Sequence, residues 1–286
     1  MSARGRPLAT KVTREHARAI LALEREELVR LRSLYETARR ELLGRLADLP
    51  GERFTAAHVL GTLAQVEAGL DALLRRLDEQ GTRAARRGLR EGLRHTLEEI
   101  AAFEPRFDAS PNGAIRLRAL RKLEAPEGLL LDRFATSTAR FRAELRSEIQ
   151  RRLGIHVLKR SFMREVVDDI AGRLETSAVS ATRFRAERIV RTELLHALAV
   201  GNQESLEEAG TTLPGLRRQW DATLDSRTSS TCHALNGQVR GIRELFAAGG
   251  KEFAHPPAHP NCRSRVLPWR AEWVAVDDAP DGRRVP

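Results

Sequence analysis

The residues most suited to chemistry gather near the C-terminal end of the sequence. His255, His259 and Cys262 lie in the segment HPPAHPNCR, and Cys232 and His233 lie on the preceding turn. Neutral imidazole and thiolate are ligand types that Zn²⁺ accepts. Pro256, Pro257 and Pro260 fix φ at three positions and favour a stiff, extended path, so the loop can hold His259, Asn261 and Cys262 in place. Three readings of Cys232 and Cys262 follow. They are small buried residues packed across one another, or a disulfide, or part of a metal site. They rank in that order, the metal last, because two cysteines and one histidine are thin for a tight structural site. The set His255, His259, Asn261 and Cys262 also invites an HNH-like, metal-dependent nuclease reading. Such a site needs a metal held by several ligands beside an activated water. Its second half would be a helix with a further histidine, and no histidine follows Cys262.

Two other segments carry charged or aromatic residues at suggestive spacing. In WDATLDSRT, Trp220 is expected in a core, because a strand tryptophan in a small β-rich module needs burial to contribute. Asp225 can cap its own turn by accepting backbone N–H groups, and Arg227 can pair with it or with Glu193. A catalytic Asp225 has no evident partner base. In RAERIVRTE, Arg185, Arg188 and Arg191 are spaced by three, with Glu187 and Glu193 nearby. They make either a solvated charged face or, through Arg191 and Glu193, a bridge from the helix to the β region.

The net charge is +10, and only four of the 49 basic residues are lysines, which leaves 45 arginines. Base composition of the genome can explain the arginine bias but not the sign. A basic surface attracts phosphate backbones and acidic partners, so non-specific contact with double-stranded DNA is one expectation. Many arginines sit three or four residues from a glutamate and are paired or solvated instead. Two cysteines are too few for a disulfide scaffold. No apolar stretch precedes a cleavage-like site near the start, and no window approaches about 18 consecutive apolar residues, so neither a signal peptide nor a membrane partner is expected.

These residues must be positioned by a largely helical chain. Residues 1 to about 13 are basic and expected to fray. Ile20, Leu23, Leu28, Leu31, Leu34, Leu42, Leu46 and Leu49 mark a first helix that Pro50-Gly51 stops. Val59, Leu63, Val66, Leu70, Leu73 and Leu77 mark a second, which Gly81 is expected to break. Leu89, Leu93, Leu97, Ile100 and Phe103 mark a third, and the three read as an antiparallel hairpin or bundle. PRFDASPNG (105–113) reads as a linker. A short helix around 115–123 follows, then a stripe from Leu130 to Leu153 that Gly154 should end, a stripe from Phe162 to Leu174, and a helix over about 183–208. After Gly210 helical periodicity disappears. Strands are expected at 216–222, at 238–242 after the Asn236-Gly237 turn, and at 265–269. The tail from Val276 reads as disordered. The expected class is mainly α with a small C-terminal β-containing module (α+β), the N-terminal half being a long helical hairpin or bundle. The expected division is 1–108 helical bundle, 109–180 middle helical region, 181–273 mixed module and 274–286 tail.

Four pieces occur in order: RAERIVRTE (Arg185 to Glu193), QWDATLDSRT (Gln219 to Thr228), CHALNGQV (Cys232 to Val239) and HPPAHPNCRSRV (His255 to Val266). This ordered set resembles the phage Mu F-like head morphogenesis family over roughly residues 160 to 270. The resemblance implies a minor head protein, present in few copies, that associates with the portal and with the inner capsid or scaffold of the procapsid. It implies a place inside the procapsid or virion, and in the host bacterial cytoplasm during assembly. It also singles out a structural motif: Arg191, Glu193, Trp220, Asp225, Arg227, Cys232, His259, Pro260, Asn261, Cys262 and Arg263. Since the family keeps the RTE element, it favours the bridge reading of Arg191 and Glu193. Family members often carry Cys-x-x-Cys before the turn and N-C-R-C in the loop. Here Ser229 and Ser264 stand at the outer positions, so a four-cysteine site is absent, and Cys232, His259 and Cys262 are what remains for a metal. The expectation is a non-enzymatic assembly protein without a cofactor, Zn²⁺ being the one candidate. The alternatives are the HNH-like nuclease and a charge-driven nucleic-acid-binding protein.

Overall fold

The computed structural model describes residues 11–47, 53–111, 113–175 and 178–273. Six helices come first: α1 (Lys11–Ala47), α2 (Ala56–Phe103), α3 (Ala114–Lys122), α4 (Glu124–Lys159), α5 (Met163–Glu175) and α6 (Ala178–Gly210). Five short strands and one short helix follow: β1 (Arg217–Asp221), α7 (Ser230–Leu235), β2 (Val239–Gly241), β3 (Phe246–Ala248), β4 (Lys251–Phe253) and β5 (Arg265–Trp269). A 3₁₀ turn spans Ala271–Trp273. The fold is mainly helical with a small C-terminal region of antiparallel strands, the α+β class expected from the sequence.

Three local expectations need correction. Lys11 to Thr13 are already helical rather than frayed. Gly81 does not break the chain: α2 is one helix of 48 residues. A helical glycine costs only about 1 kcal/mol relative to alanine, and here buried Leu77, Ala84, Ala85 and Leu89 carry the helix past it. Gly154 does not end α4 either. Leu153 is fully buried and holds the helix, which stops at Arg160, a residue with φ of 53°. The expected stop at Pro50-Gly51 and the tail from Val276 lie outside the described residues.

The chain divides into two compact units, neither of them a continuous stretch. One comprises residues 1–23, 85–128 and 194–286; the other comprises 24–84 and 129–193. The second unit is built on Leu28, Leu31, Phe54, Val66, Leu73, Leu77, Leu153, Met163 and Val166. A single antiparallel bridge, Arg53 with Phe162, ties the entrance of α2 to that of α5, reinforced by Phe54 N–H donating to Ser161 O at 2.8 Å.

In the first unit α2 packs against α6 at very short range. A Cβ on Gly92 would lie 2.0 Å from Leu198 O, and a Cβ on Gly201 would lie 2.0 Å from Leu89 O. Glycine is the only residue that permits this approach. Hydroxyls line the same seam: Thr96 donates to Gly92 O at 2.8 Å and Ser205 to Gly201 O at 2.9 Å. Asn202 then joins the seam to the strands, donating to Thr96 Oγ1 at 2.7 Å and to Val266 O at 3.1 Å.

The strands form two small sheets. One has the order β2-β1-β5, all antiparallel, with Gln219 opposite Val239 on one side and Leu267 on the other. The other is the β3-β4 hairpin, in which Gly249 and Gly250 both have positive φ, 57° and 73°, as a two-residue primed turn requires. Their core joins Trp220, Cys232, Leu235, Phe246, Cys262, Val266 and Trp273 to Ile100 of α2 and Leu206 of α6.

A buried imidazole pair in this unit predicts a pH dependence. His95 stacks on His16, with centroids 4.1 Å apart, and His16 spans Glu98 and Glu99 at 2.9 and 3.2 Å. Burial, helped by His16, Arg94 and Arg265, pushes the His95 imidazole down to about 3. Arg94, which can only donate, contacts His95 Nε2 at 2.8 Å and so requires that nitrogen unprotonated. The unfolded chain, with an ordinary imidazole near 6.5, takes up the proton first. Stability is therefore lost as pH falls from about 6.5 toward 3, with about 1.5 kcal/mol gone by pH 5. Unfolding curves at pH 6.5 and pH 5 should show this loss in the wild type and a clearly smaller one in His95→Gln. Equal losses in both would refute the assignment.

Candidate functional site

Two loops, one following β1 and one preceding β5, bring the chemical residues together. Strand pairing of Asp221 with Arg265 sets both loops off from the same end of the ladder. Within the first loop Asp225 organises its own turn: its carboxylate accepts from Arg227 N–H at 2.9 Å, and Thr228 Oγ1 accepts from Asp225 N–H at 2.9 Å. The same carboxylate receives both arms of Arg263 from the second loop, each at 2.6 Å. This fork-to-fork geometry is the strong form of an ion pair. It holds the Asp225 carboxyl well below the usual carboxylate range, chiefly through Arg263 and then through the Arg227 amide. Arg227 contributes a looser contact at 3.9 Å and is 78% exposed. Thr223 adds a hydroxyl bond to Arg263 O at 3.1 Å.

The second loop is shaped by its prolines and by Asn261. The Pro256–Pro257 peptide is cis, and Asn261 sits at φ 59°, a left-handed conformation that asparagine tolerates better than most residues. The loop closes with Cys262 N–H donating to His259 O at 3.1 Å. Across from it, Ser229 caps α7 by accepting from Cys232 N–H at 3.1 Å.

These turns converge on one point. Cys232 Sγ lies 3.7 Å from Cys262 Sγ and 3.1 Å from His259 Nε2, and Ser229 Oγ lies 2.8 Å from the same nitrogen. His259 Nδ1 faces Pro260 O at 2.9 Å. A carbonyl only accepts, so Nδ1 carries the proton and Nε2 presents a lone pair to the sulfurs. Both thiols are buried and unbonded to each other. The contact with Cys232 holds the Cys262 thiol down to about 5, aided by Ser264 and by the amides of Ser264 and Ala258. The same interaction, with burial, pushes the Cys232 thiol up. A small pocket opens beside the cluster, lined by Thr223, Thr228, Ser229 and Asn261 among others.

Residues 142–267 match the family model of Phage Mu protein F like protein. The resemblance read from the four sequence pieces is therefore matched over a longer stretch, beginning in α4. No curated protein and no solved structure matches the chain. Within the Mu F-like segment the structure gathers Asp225, Arg227, Cys232, His259, Pro260, Asn261, Cys262 and Arg263 around the two loops. Trp220 is fully buried beneath them, edge-on to Phe246 at 5.1 Å. Arg191 lies in the second unit, where it pairs with Glu24 of α1, and Glu193 is buried there. His233 and His255 stand outside the thiol cluster; His255 packs edge-on against His196 of α6 at 4.8 Å.

One residue of the Mu F-like segment escaped the sequence reading. Arg218, beside Trp220 on β1, is 2% exposed. Its guanidinium donates to Gln203 Oε1 at 2.7 Å, to Ala254 O at 2.5 Å, to Gly241 O at 3.3 Å and to Glu244 O. It also lies over the Phe246 ring, 4.8 Å from its centroid. Burial lowers its pKa to about 10, which leaves it charged at neutral pH. One side chain thus ties α6, β1, β2 and the segments flanking the β3-β4 hairpin. A strand arginine next to a core tryptophan was the only signal, and it does not by itself distinguish a buried clamp from an exposed charge.

Proposed function

We propose that this chain is a minor head protein of a tailed phage or prophage, and that it binds the portal or the inner procapsid during assembly. The match of residues 142–267 to the Mu F-like family carries this reading. The chemistry of the two loops supports docking over catalysis. Asp225 is engaged by the two arms of Arg263 and by the Arg227 amide, and both thiols are buried. A general base or nucleophile needs a free lone pair aimed at open space. In this reading the helices supply the protein-binding surface and the strand module is a rigid platform.

The reading is tested by co-expressing the chain with the portal protein of the phage or prophage that encodes it and purifying the portal. Recovery of the chain with the portal is expected. A portal that purifies without the chain, from cells in which both are soluble, would contradict it. Cleavage of DNA in the presence of Mg²⁺, Mn²⁺ or Zn²⁺, lost in His259→Ala, would replace it with the nuclease reading. The net charge of +10 favours one compatible addition, non-specific contact with packaged DNA. Such binding should weaken steeply with salt and show little sequence preference.

A further inference from the structure

We infer that Cys232, Cys262 and His259 form a Zn²⁺ site that staples the loop after β1 to the loop before β5. The three donor atoms lie within 4.8 Å of one another. Zn–S bonds of about 2.3 Å in a tetrahedral site place two sulfurs about 3.8 Å apart, and the Sγ–Sγ distance here is 3.7 Å. The Cys232 Sγ to His259 Nε2 distance of 3.1 Å needs to open by only a few tenths of an ångström to reach the corresponding S–N edge.

The surroundings point to a metal more strongly than the distances alone. The Nδ1–H of His259 is committed to Pro260 O, which fixes the tautomer and the ring direction. That is the outer contact metal-ligating histidines make. The charge balances, since two thiolates and a neutral imidazole neutralise one Zn²⁺. Both sulfurs bind as thiolates, so whatever thiol proton they carry passes to solvent, and the contacts now made to Nε2 give way to a metal–nitrogen bond. The adjoining pocket is lined by Ser229, Cys232 and His259, so a fourth ligand such as water can reach the ion from that side. The inference concerns these loops alone and stands whether or not the chain binds a portal.

The test uses the full-length chain, reduced and freed of metal with a chelator, titrated anaerobically with Co²⁺ and then Zn²⁺. One equivalent of Co²⁺ is expected to give visible bands of a tetrahedral ion and a sulfur-to-cobalt charge-transfer band of two-thiolate intensity. Zn²⁺ should displace it and raise the melting temperature. Cys262→Ser should lose the charge-transfer band or halve it, with affinity reduced by about a hundredfold or more; His259→Gln should keep the two-thiolate band but weaken binding by about tenfold or more. Ser229→Cys should bind more tightly than wild type and add a third thiolate's intensity, which reports on the site without depending on a disruptive substitution. Absence of a charge-transfer band in wild type, together with a melting temperature insensitive to Zn²⁺, would overturn the proposal. Equal affinity in wild type and Cys262→Ser would do the same.

Discussion

Gly201→Ala is expected to destabilise the first unit by more than about 3 kcal/mol, although it adds a single methyl group to a helix. In a solvent-facing helix the same change stabilises by up to about 1 kcal/mol, because alanine is the better helix former. Gly61, in the same α2 that meets Gly201, has nothing within 4 Å of its missing Cβ and is the internal control. At Gly201 the added methyl would lie 2.0 Å from Leu89 O and 3.0 Å from Leu93 N. These are backbone atoms of a neighbouring helix, so no rotamer change relieves the clash. Relief requires moving α6 away from α2, which breaks the bonds of Ser205 to Leu93 O and of Asn202 to Thr96 and Val266. Urea unfolding followed by circular dichroism should show Gly61→Ala shifted to higher urea and Gly201→Ala shifted strongly lower. Gly92→Ala should resemble Gly201→Ala, since it meets Leu198 O at the same 2.0 Å. A Gly201→Ala protein as stable as wild type would show that the two helices are not packed this closely.

Arg218→Lys should be nearly as damaging as Arg218→Ala, at about 3–5 kcal/mol for the alanine change. The guanidinium serves three backbone carbonyls and the Gln203 side chain at once, and all four contacts are lost when it goes. An ammonium group is a single point with a different reach and cannot span acceptors on α6, β2 and both flanks of the hairpin. It also forfeits the flat contact with Phe246. Conventional reasoning treats Arg→Lys on a strand as mild, so the pair of variants separates a buried fork from an exposed charge. Thermal unfolding of both is the measurement. If Arg218→Lys melts within a degree or two of wild type, the charge alone matters and the clamp is misassigned.

Much of the fold was legible because its signals are local. Leucine periodicity placed the long helices, and turn residues followed by alternating strands placed β1, β2 and β5. The Gly249-Gly250 turn of the missed β3-β4 hairpin carried the expected signature too, but strands of three residues are too short for alternation to register. Gly81 and Gly154 misled for the opposite reason. A local helix-breaking cost of about 1 kcal/mol is real, yet burial of neighbours such as Leu77 and Leu153 outweighs it. At the candidate site, residue types and order identified the two loops. The partner of Asp225 was not legible: Arg227 is closer in sequence, and only the strand register brings Arg263 across. Arg218 was invisible because burial of a charge depends on acceptors scattered from Gln203 to Ala254. The close seam between α2 and α6 is hidden for the same reason, since Gly92 meets Leu198 and Gly201 meets Leu89 across more than a hundred residues of intervening chain.

We propose above that the chain is a structural component of a phage head. The most direct measurement is the protein composition of procapsids purified from the phage or induced prophage that encodes it, with the gene intact and with it deleted. A few copies of the chain per intact procapsid are expected, with a sharp fall in infectious particles on deletion that Trp220→Ala or Arg218→Ala fails to rescue. Procapsids that lack the chain in the wild type, with an undiminished yield of infectious particles from the deletion, would contradict it.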